Sequence, residues 1–353
     1  MKILILHPNL FERGGAERKV LLIYRYLKSR GVDVTLVVFK LNSKSTFFEL
    51  LSDQVEVRVI SGNFWYKLLK LFSFLLKNPQ DILIASNHPS HYFVLFFKFL
   101  KLSKKALWIC NEVHSALHLK KNMKLILTKK IEKFFVKNFN LIVANSHNTK
   151  KQIENFFGLD SQVIYPGVII KEASVKEFNH QLPNDFIFCI SRLEDHKNIS
   201  FLETILRKTS YNVVLAGEGS KRFYVERLAS KYSKLHYIGL VSEDDKSALF
   251  LKAQLTIFLP RHEPFGVTII ESLFYGTPVI AFDSGGPREI ILNGKNGVLC
   301  KNDHDFIKAL NEFDFKSFQR NPKFYHKYIK EHFTETIMLT KFYESIKKIS
   351  NQT

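Results

Sequence analysis

The chain has 353 residues, 46% of them hydrophobic, which is too much for one small core and suits two domains of ordinary size. Its three cysteines, Cys110, Cys189 and Cys300, lie in or just after apolar runs with no CxxC pair, arguing against a zinc site and for a reducing compartment. The net charge of +19 is concentrated in residues 1–165, with 26 Lys and Arg against 11 Asp and Glu, so that half faces something acidic, a nucleic acid or an anionic membrane.

Lys2 to His7 is a buried-type strand, with no signal-peptide cleavage site after it. Gly14 and Gly15 then precede a helical pattern from Ala16 to Leu27, a turn that suits a phosphate but lacks the third glycine of the dinucleotide fingerprint. Strands follow at Val34–Phe39 and Val55–Ile60, then an apolar, lysine-bearing helix at Phe64–Leu76 and a strand at Asp81–Ala85. The helical run Tyr92–Leu102 is too short for a membrane span of roughly 20 residues and is interrupted by Lys98 and Lys101; these two aromatic, lysine-bearing helices could seat the domain on a membrane surface or serve as core helices, core being favoured for Tyr92–Leu102. A strand at Ala106–Cys110 leads to Asn111 and Glu112, at the expected ligand edge of a parallel, doubly wound sheet. From Lys98 to Lys137 there are 11 lysines and two acids, a patch for lipid headgroups or a phosphorylated acceptor, without the interleaved aromatics of a single-strand nucleic-acid binder. Leu141–Ala144 is the last clear strand of this half, and Asn145-Ser146 caps a helix over Thr149–Phe156. The polar run Lys171–Asn184 has the composition of an interdomain connection.

A fresh strand, Phe186–Ile190, ends in Ser191-Arg192-Leu193 with Lys197 five residues after Arg192, a guanidinium fork and a point charge suited to a diphosphate. Val213 to Gly219 is a strand ending in glycines around Glu218, and His236 to Val241 is a further strand end. The densest signal is Leu255–Ala281: strand, Pro260, polar loop, helix Val267–Tyr275, Gly276, and a second strand Val279–Phe282. Glu263 stands in the loop and Glu271 in the helix, eight residues apart. Between them Gly266 lets a ligand approach the free N–H groups of the first helical turn, an anion site beside two acceptors for hydroxyls. That combination suggests a sugar nucleotide. Asp303 and Asp305 imitate a metal motif but fall where a helix cap is expected, and Lys323–Lys348 is an amphipathic helical tail.

The pair Glu263 and Glu271, with Pro260, Phe265-Gly266 and Gly276-Thr277-Pro278-Val279 around it, resembles the Glu, seven residues, Glu motif of the retaining glycosyltransferases of family 4, glycosyl transferases group 1. GGAER at Gly14–Arg18 is similar to that family's first loop, SRLEDHKN at Ser191–Asn198 to its Arg and Lys segment, and VVLAGEG at Val213–Gly219 to its nucleotide-side loop. Cys110-Asn111-Glu112 departs from it, with Asn where relatives usually carry a His; His88 and His114 are possible replacements. The resemblance covers nearly the whole chain. It implies a GT-B fold: two Rossmann-like doubly wound α/β domains facing a cleft, with a C-terminal helix crossing back to the first domain. The expected boundaries are 1–167 for the acceptor domain, 168–184 for the linker, 185–322 for the nucleotide-sugar domain and 323–353 for the returning helix.

The activity so implied is metal-independent, retaining transfer of a hexose from a nucleoside diphosphate sugar to a saccharide or lipid-linked acceptor, without a cofactor. GDP-mannose is slightly favoured over UDP-sugars because Trp108–Glu112 resembles mannosyltransferase relatives. Catalysis is expected from Glu263, Arg192, Lys197 and Asn111. Donor binding is expected from Gly14, Gly15, Gly217, Glu218, Val241, Phe265, Gly266, Val267, Thr268 and Glu271, with no metal ligand. The setting is cytoplasmic and peripheral on the inner face of the plasma membrane, at an anionic surface and without nucleic acid. A sugar-nucleotide 2-epimerase of the same fold and a non-catalytic membrane- or nucleic-acid-binding protein are the alternatives.

Overall fold

The computed structural model describes residues 1–10, 15–41, 56–113, 132–133, 135–169, 181–313 and 321–351. The chain divides into two compact units, Met1–Gly167 with Glu335–Thr353, and Val168–Thr334.

The first unit runs β1 (Lys2–Leu10), α1 (Gly15–Ser29), β2 (Asp33–Leu41), β3 (Val57–Val59), α2 (Phe64–Lys77), β4 (Gln80–Ser86), α3 (Ser90–Phe99), β5 (Ser103–Cys110), β6 (Leu141–Ala144), α4 (His147–Phe157) and β7 (Gln162–Val163). Its strands form one sheet in the order β3-β2-β1-β4-β5-β6-β7, all neighbours parallel. Ile3, Leu4, Ile5 and Leu6 of β1 are buried on both faces, as a central parallel strand between two helix layers requires. Helix α4 begins where the Ser146 hydroxyl accepts from Thr149 N–H at 3.0 Å and ends at Gly158 in the left-handed region. One face of the sheet packs on α1, the other on α2, α3 and α4.

The second unit runs β8 (Ile187–Ile190), a single 3-10 turn at Asp195–Lys197, α5 (Phe201–Lys208), β9 (Val213–Ala216), α6 (Arg222–Lys231), β10 (Leu235–Gly239), α7 (Glu243–Lys252), β11 (Leu255–Phe258), α8 (Val267–Phe274), β12 (Val279–Phe282), α9 (Pro287–Ile290), β13 (Gly297–Cys300), α10 (Asp303–Asn311) and α11 (Pro322–His332). Its parallel sheet has the order β10-β9-β8-β11-β12-β13. In both units the first strand lies between neighbours reached in opposite directions, so each sheet has a topological switch point at the carboxyl ends of its strands.

The structure differs from the sequence reading in three places. Lys101 adopts a left-handed turn with φ 57°, so α3 stops at Phe99 and β5 begins at Ser103 rather than Ala106. The stretch read as one returning helix over 323–353 is two: α11 stays in the second unit, while α12 (Glu335–Ser350) belongs to the first and buries Met338, Leu339, Phe342, Ile346 and Ile349 beside α1. The break comes at Phe333 and Thr334; Phe333 C=O accepts from Val168 N–H at 2.9 Å, and Thr334 bridges Val168, which therefore belongs to the second unit rather than to a linker. Of the remaining expected linker, residues 170–180 lie outside the described residues, as do Gly14, His114 and, within the lysine block between 98 and 137, residues 114–131 and 134.

Candidate functional site

In the second unit the loops leaving β8, β9, β10, β11 and β12 meet at the carboxyl edge of the sheet. The loop after β8 is fixed by its neighbour: Leu193 N–H donates to Glu218 C=O at 2.9 Å and Lys221 N–H to Leu193 C=O at 2.8 Å. Gly217 and Gly219 make this approach possible, because a Cβ would stand 1.8 Å from Ser191 O and 2.6 Å from Leu193 O respectively. Gly217 N–H in turn donates to Gly239 C=O at 2.7 Å. Gly217 and Glu218, expected at the donor site, are thus built into the loop that positions Arg192; the Glu218 carboxylate itself pairs with Arg222 at 3.2 Å.

Lys197 closes the 3-10 turn, and the next residue, Asn198, takes the left-handed conformation at φ 56° and donates its amide to Leu259 C=O at 3.0 Å. That bond ties the turn to the end of β11. The Lys197 ammonium then meets the Glu263 carboxylate at 2.6 Å, with 16% and 18% of the two side chains exposed. His196, beside them, has its pKa lowered by burial first and then by the Lys197 and Arg192 charges, against the pull of Glu263 and Glu194. Arg192, Lys197 and Glu263 therefore act on one neighbourhood, as the sequence spacing suggested for the two cations.

Glu263 is held from behind by a feature that sequence reasoning missed. Its C=O accepts from Gly286 N–H at 2.9 Å, and a Cβ on Gly285 would lie 2.3 Å from Glu263 O, one on Gly286 2.1 Å from Phe265 Cα. The signal was present as Ser284-Gly285-Gly286-Pro287 after an apolar strand, which marks a tight turn into a helix but not what the turn touches.

Gly266, at φ 103°, opens α8 with no side-chain cap, so the first-turn N–H groups of Val267 and Thr268 face outward without an intrahelical acceptor. The Phe265 side chain is buried and packs on Phe333 with ring centroids 5.9 Å apart, leaving its backbone at the site. Glu271 lies in the second turn of α8. Its carboxylate accepts from Lys246 of α7 at 2.8 Å, and Glu243 completes the pairing at 2.9 Å. Burial pulls the Lys246 ammonium toward neutrality, but Glu271 and Glu243 outweigh it and hold its pKa above the ordinary value. Lys246 was not read from the sequence, since nothing about a lysine in the first half of a helix announces a partner 25 residues away. Val241 precedes the Ser242 cap of that helix, and its side chain packs on the Phe186 and Phe250 cluster.

Each carboxylate of the site is thus oriented by a lysine at salt-bridge distance, with oxygen lone pairs left to accept hydroxyl hydrogen bonds. Arg192, Lys197 and the uncapped turn of α8 supply positive potential. Asp303 and Asp305, set aside as structural, lie in the first turn of α10, where Asn302 accepts from Asp305 N–H at 2.9 Å.

In the first unit Gly15 opens α1, and Lys19, one turn on, is 6% exposed. Its ammonium donates to the side-chain oxygen of Asn111, whose amide donates to Asn87 at the end of β4. Asn111 thus stands at the ligand edge of this sheet between a lysine and a second amide. Among the described residues no helix is long and apolar enough to cross a membrane.

The comparisons with known proteins agree with this architecture. The sequence profile of glycosyltransferase family 4 matches residues 13–172, and that of glycosyl transferases group 1 matches residues 170–331. The alpha-1,3/1,6-mannosyltransferase ALG2 of Dictyostelium discoideum is 24% identical over 88% of this chain and 89% of its own. Among solved structures, Anabaena HepE in complex with UDP-glucose superposes with a TM-score of 0.79 at 18% identity, covering 99% of this chain and 100% of that one. The lipopolysaccharide outer core galactosyltransferase WaaB superposes at 0.77 with 20% identity, covering 99% of each. Two parallel sheets flanked by helices and a likeness running nearly end to end give the GT-B class of fold. Profiles for both halves of one enzyme family meet on a single chain, and the protein belongs to the family 4 glycosyltransferases.

Proposed function

We propose that the protein is a metal-independent, retaining hexosyltransferase that takes its sugar from a nucleoside diphosphate donor. The observation that carries this is the Lys197–Glu263 pair at 2.6 Å, at the strand ends of a switch point and beside the uncapped turn of α8. Arg192, Lys197 and the N–H groups of residues 265–268 hold the diphosphate. Glu271, set by Lys246, takes the ribose diol, and Glu263 a hydroxyl of the sugar near its anomeric carbon. Departure of the diphosphate builds negative charge opposite a positive sugar, so fixed cations and dipoles stabilise the transition state. The acceptor hydroxyl attacks from the same face, which conserves the anomeric configuration.

GDP-mannose is the favoured donor, a choice supported by mannosyltransferase relatives such as ALG2. The first unit, with its excess of lysine, receives a lipid-linked saccharide or lipopolysaccharide-type acceptor at the inner face of the plasma membrane. The test is donor binding and slow hydrolysis across GDP-mannose, UDP-glucose, UDP-galactose and UDP-N-acetylglucosamine, with the wild type beside Lys197→Ala. One donor should be hydrolysed, and the variant should lose on the order of 100-fold or more in turnover. Near-normal turnover in a folded Lys197→Ala protein rejects the assignment.

A further inference from the structure

We infer that the outer faces of α2 and α3 form one docking surface for an anionic lipid bilayer, with aromatic and leucine side chains entering the headgroup region. This rests on the membrane reading above, which left both helices open between core and surface, and goes beyond it by assigning the face and the side chains that enter the bilayer.

The observation is that both helices are apolar on two sides. Helix α2 turns Leu71 and Leu75 into the core, which accounts for one stripe. On its other side Trp65 is 69% exposed, Leu69 67% and Leu76 56%. Helix α3 likewise buries Phe93, Val94 and Phe97 in the same cluster, while Tyr92, Phe96 and Phe99 point outward at i, i+4 and i+7, Phe99 to 73%. The two helices cover the same face of the first sheet and meet where the Phe64 and Phe93 rings lie 5.0 Å apart. A helix that needs only a fold exposes polar residues on its outer side. These two expose large apolar ones, the mark of a surface that meets another phase or partner.

The charges choose the occupant. Neither helix contains an acidic residue. Lys70 and Lys77 on α2 and Lys101 and Lys104 just beyond α3 are exposed, and Phe99 and Leu100 run directly into Lys101. Lys98 is left out of the count because its ammonium is committed to Lys104 C=O and the Asn140 side chain, each at 2.6 Å. Lys104 has the Asp81 carboxylate of β4 at 3.9 Å, but tryptophan, tyrosine and phenylalanine framed by lysines, on helices that carry no carboxylate of their own, match a layer of lipid phosphates over acyl chains.

The chain contains two tryptophans, Trp65 and Trp108, and Trp108 is 3% exposed, so emission that changes on vesicle binding reports Trp65. The experiment adds the full chain to phosphatidylcholine vesicles with and without phosphatidylglycerol, reading tryptophan emission and flotation together. The expected result is a blue shift and flotation with the anionic vesicles only. Leu69→Ser with Phe99→Ser should reduce flotation about ten-fold or more, and Lys70→Glu with Lys77→Glu should do the same. Phe223→Ser, which removes an aromatic 82% exposed on α6 of the second unit, should change nothing. Circular dichroism melting and donor hydrolysis in solution confirm that the variants are folded. Wild-type flotation that survives the α2 and α3 substitutions overturns this surface while leaving the membrane reading standing, and absence of flotation overturns both. A blue shift that follows protein concentration without vesicles assigns the face to a second copy of the chain instead.

Discussion

Lys19 is an amine buried inside the first unit that donates to the neutral Asn111 amide, and its burial has a measurable consequence. Desolvation lowers its pKa from 10.5 to about 8, against a smaller raising effect from Cys110. Between about 8 and 10.5 the unfolded chain holds a proton that the folded chain has released, so stability rises as pH rises through that window, and the cost is fully present below about 8. That cost is on the order of 3 kcal/mol. Lys19→Met should therefore raise stability in urea unfolding at pH 7, less the loss of the Asn111 contact, and the gain should shrink by pH 10. An equal gain at both pH values would show that the amine is not the source.

At the scale of the element, the donor-side edge is a set of loops laced together through glycines. The β12 loop carries the clearest case, since Gly286 touches the backbone of Phe265 and supports Glu263 through its N–H. Gly286→Ala should displace the loop between β11 and α8, costing about 1–3 kcal/mol in stability and lowering turnover at least ten-fold, on the order expected when a reacting group is misplaced. A thermal melt paired with donor hydrolysis checks both, and an unchanged turnover would mean that Glu263 is positioned without this contact. Helix α8 carries its own conflict. Its first turn has no side-chain cap, as the proposed diphosphate site requires, and its stability comes instead from Ile269, Ile270, Leu273 and Phe274, all buried.

For the whole molecule, the chain leaves the first unit at Gly167 and returns to it at Glu335. The returning helix α12 is part of the first unit's core rather than an appendage. It packs Met338, Leu339, Phe342, Ile346 and Ile349 around Tyr24 and Ile164, and Ser345 donates to Gln162 at 2.9 Å. Five such side chains are worth roughly 1.5–3 kcal/mol each, comparable to the 5–15 kcal/mol that separates a folded domain from its unfolded chain. Calorimetry of a chain ending at Thr334 should therefore lose the transition of the first unit and keep that of the second, whose core contains no residue after 334. Survival of both transitions would place α12 outside the cooperative core.

Much of this protein was legible in its order of residues. Alternating apolar runs and helical periods give the two doubly wound sheets, and Arg192, Lys197, Glu263, Gly266 and Glu271 fall at strand ends and one helix start because glycines, prolines and caps punctuate the chain there. Those signals are local, set by backbone geometry over a few residues. The pairings are not. Lys197 finds Glu263 across 66 residues, Lys246 finds Glu271 across 25, and Lys19 finds Asn111 across 92, since parallel strands bring distant loops to one edge. Between a core and a surface role for α2 and α3 the sequence left the choice open for the opposite reason: with apolar residues on two sides, periodicity shows that a helix forms but not which side the sheet takes. Local sequence chose the elements and the residue types, and the packing of the sheets decided which charges meet and which surfaces stay open, because that choice depends on neighbours the chain reaches only after folding.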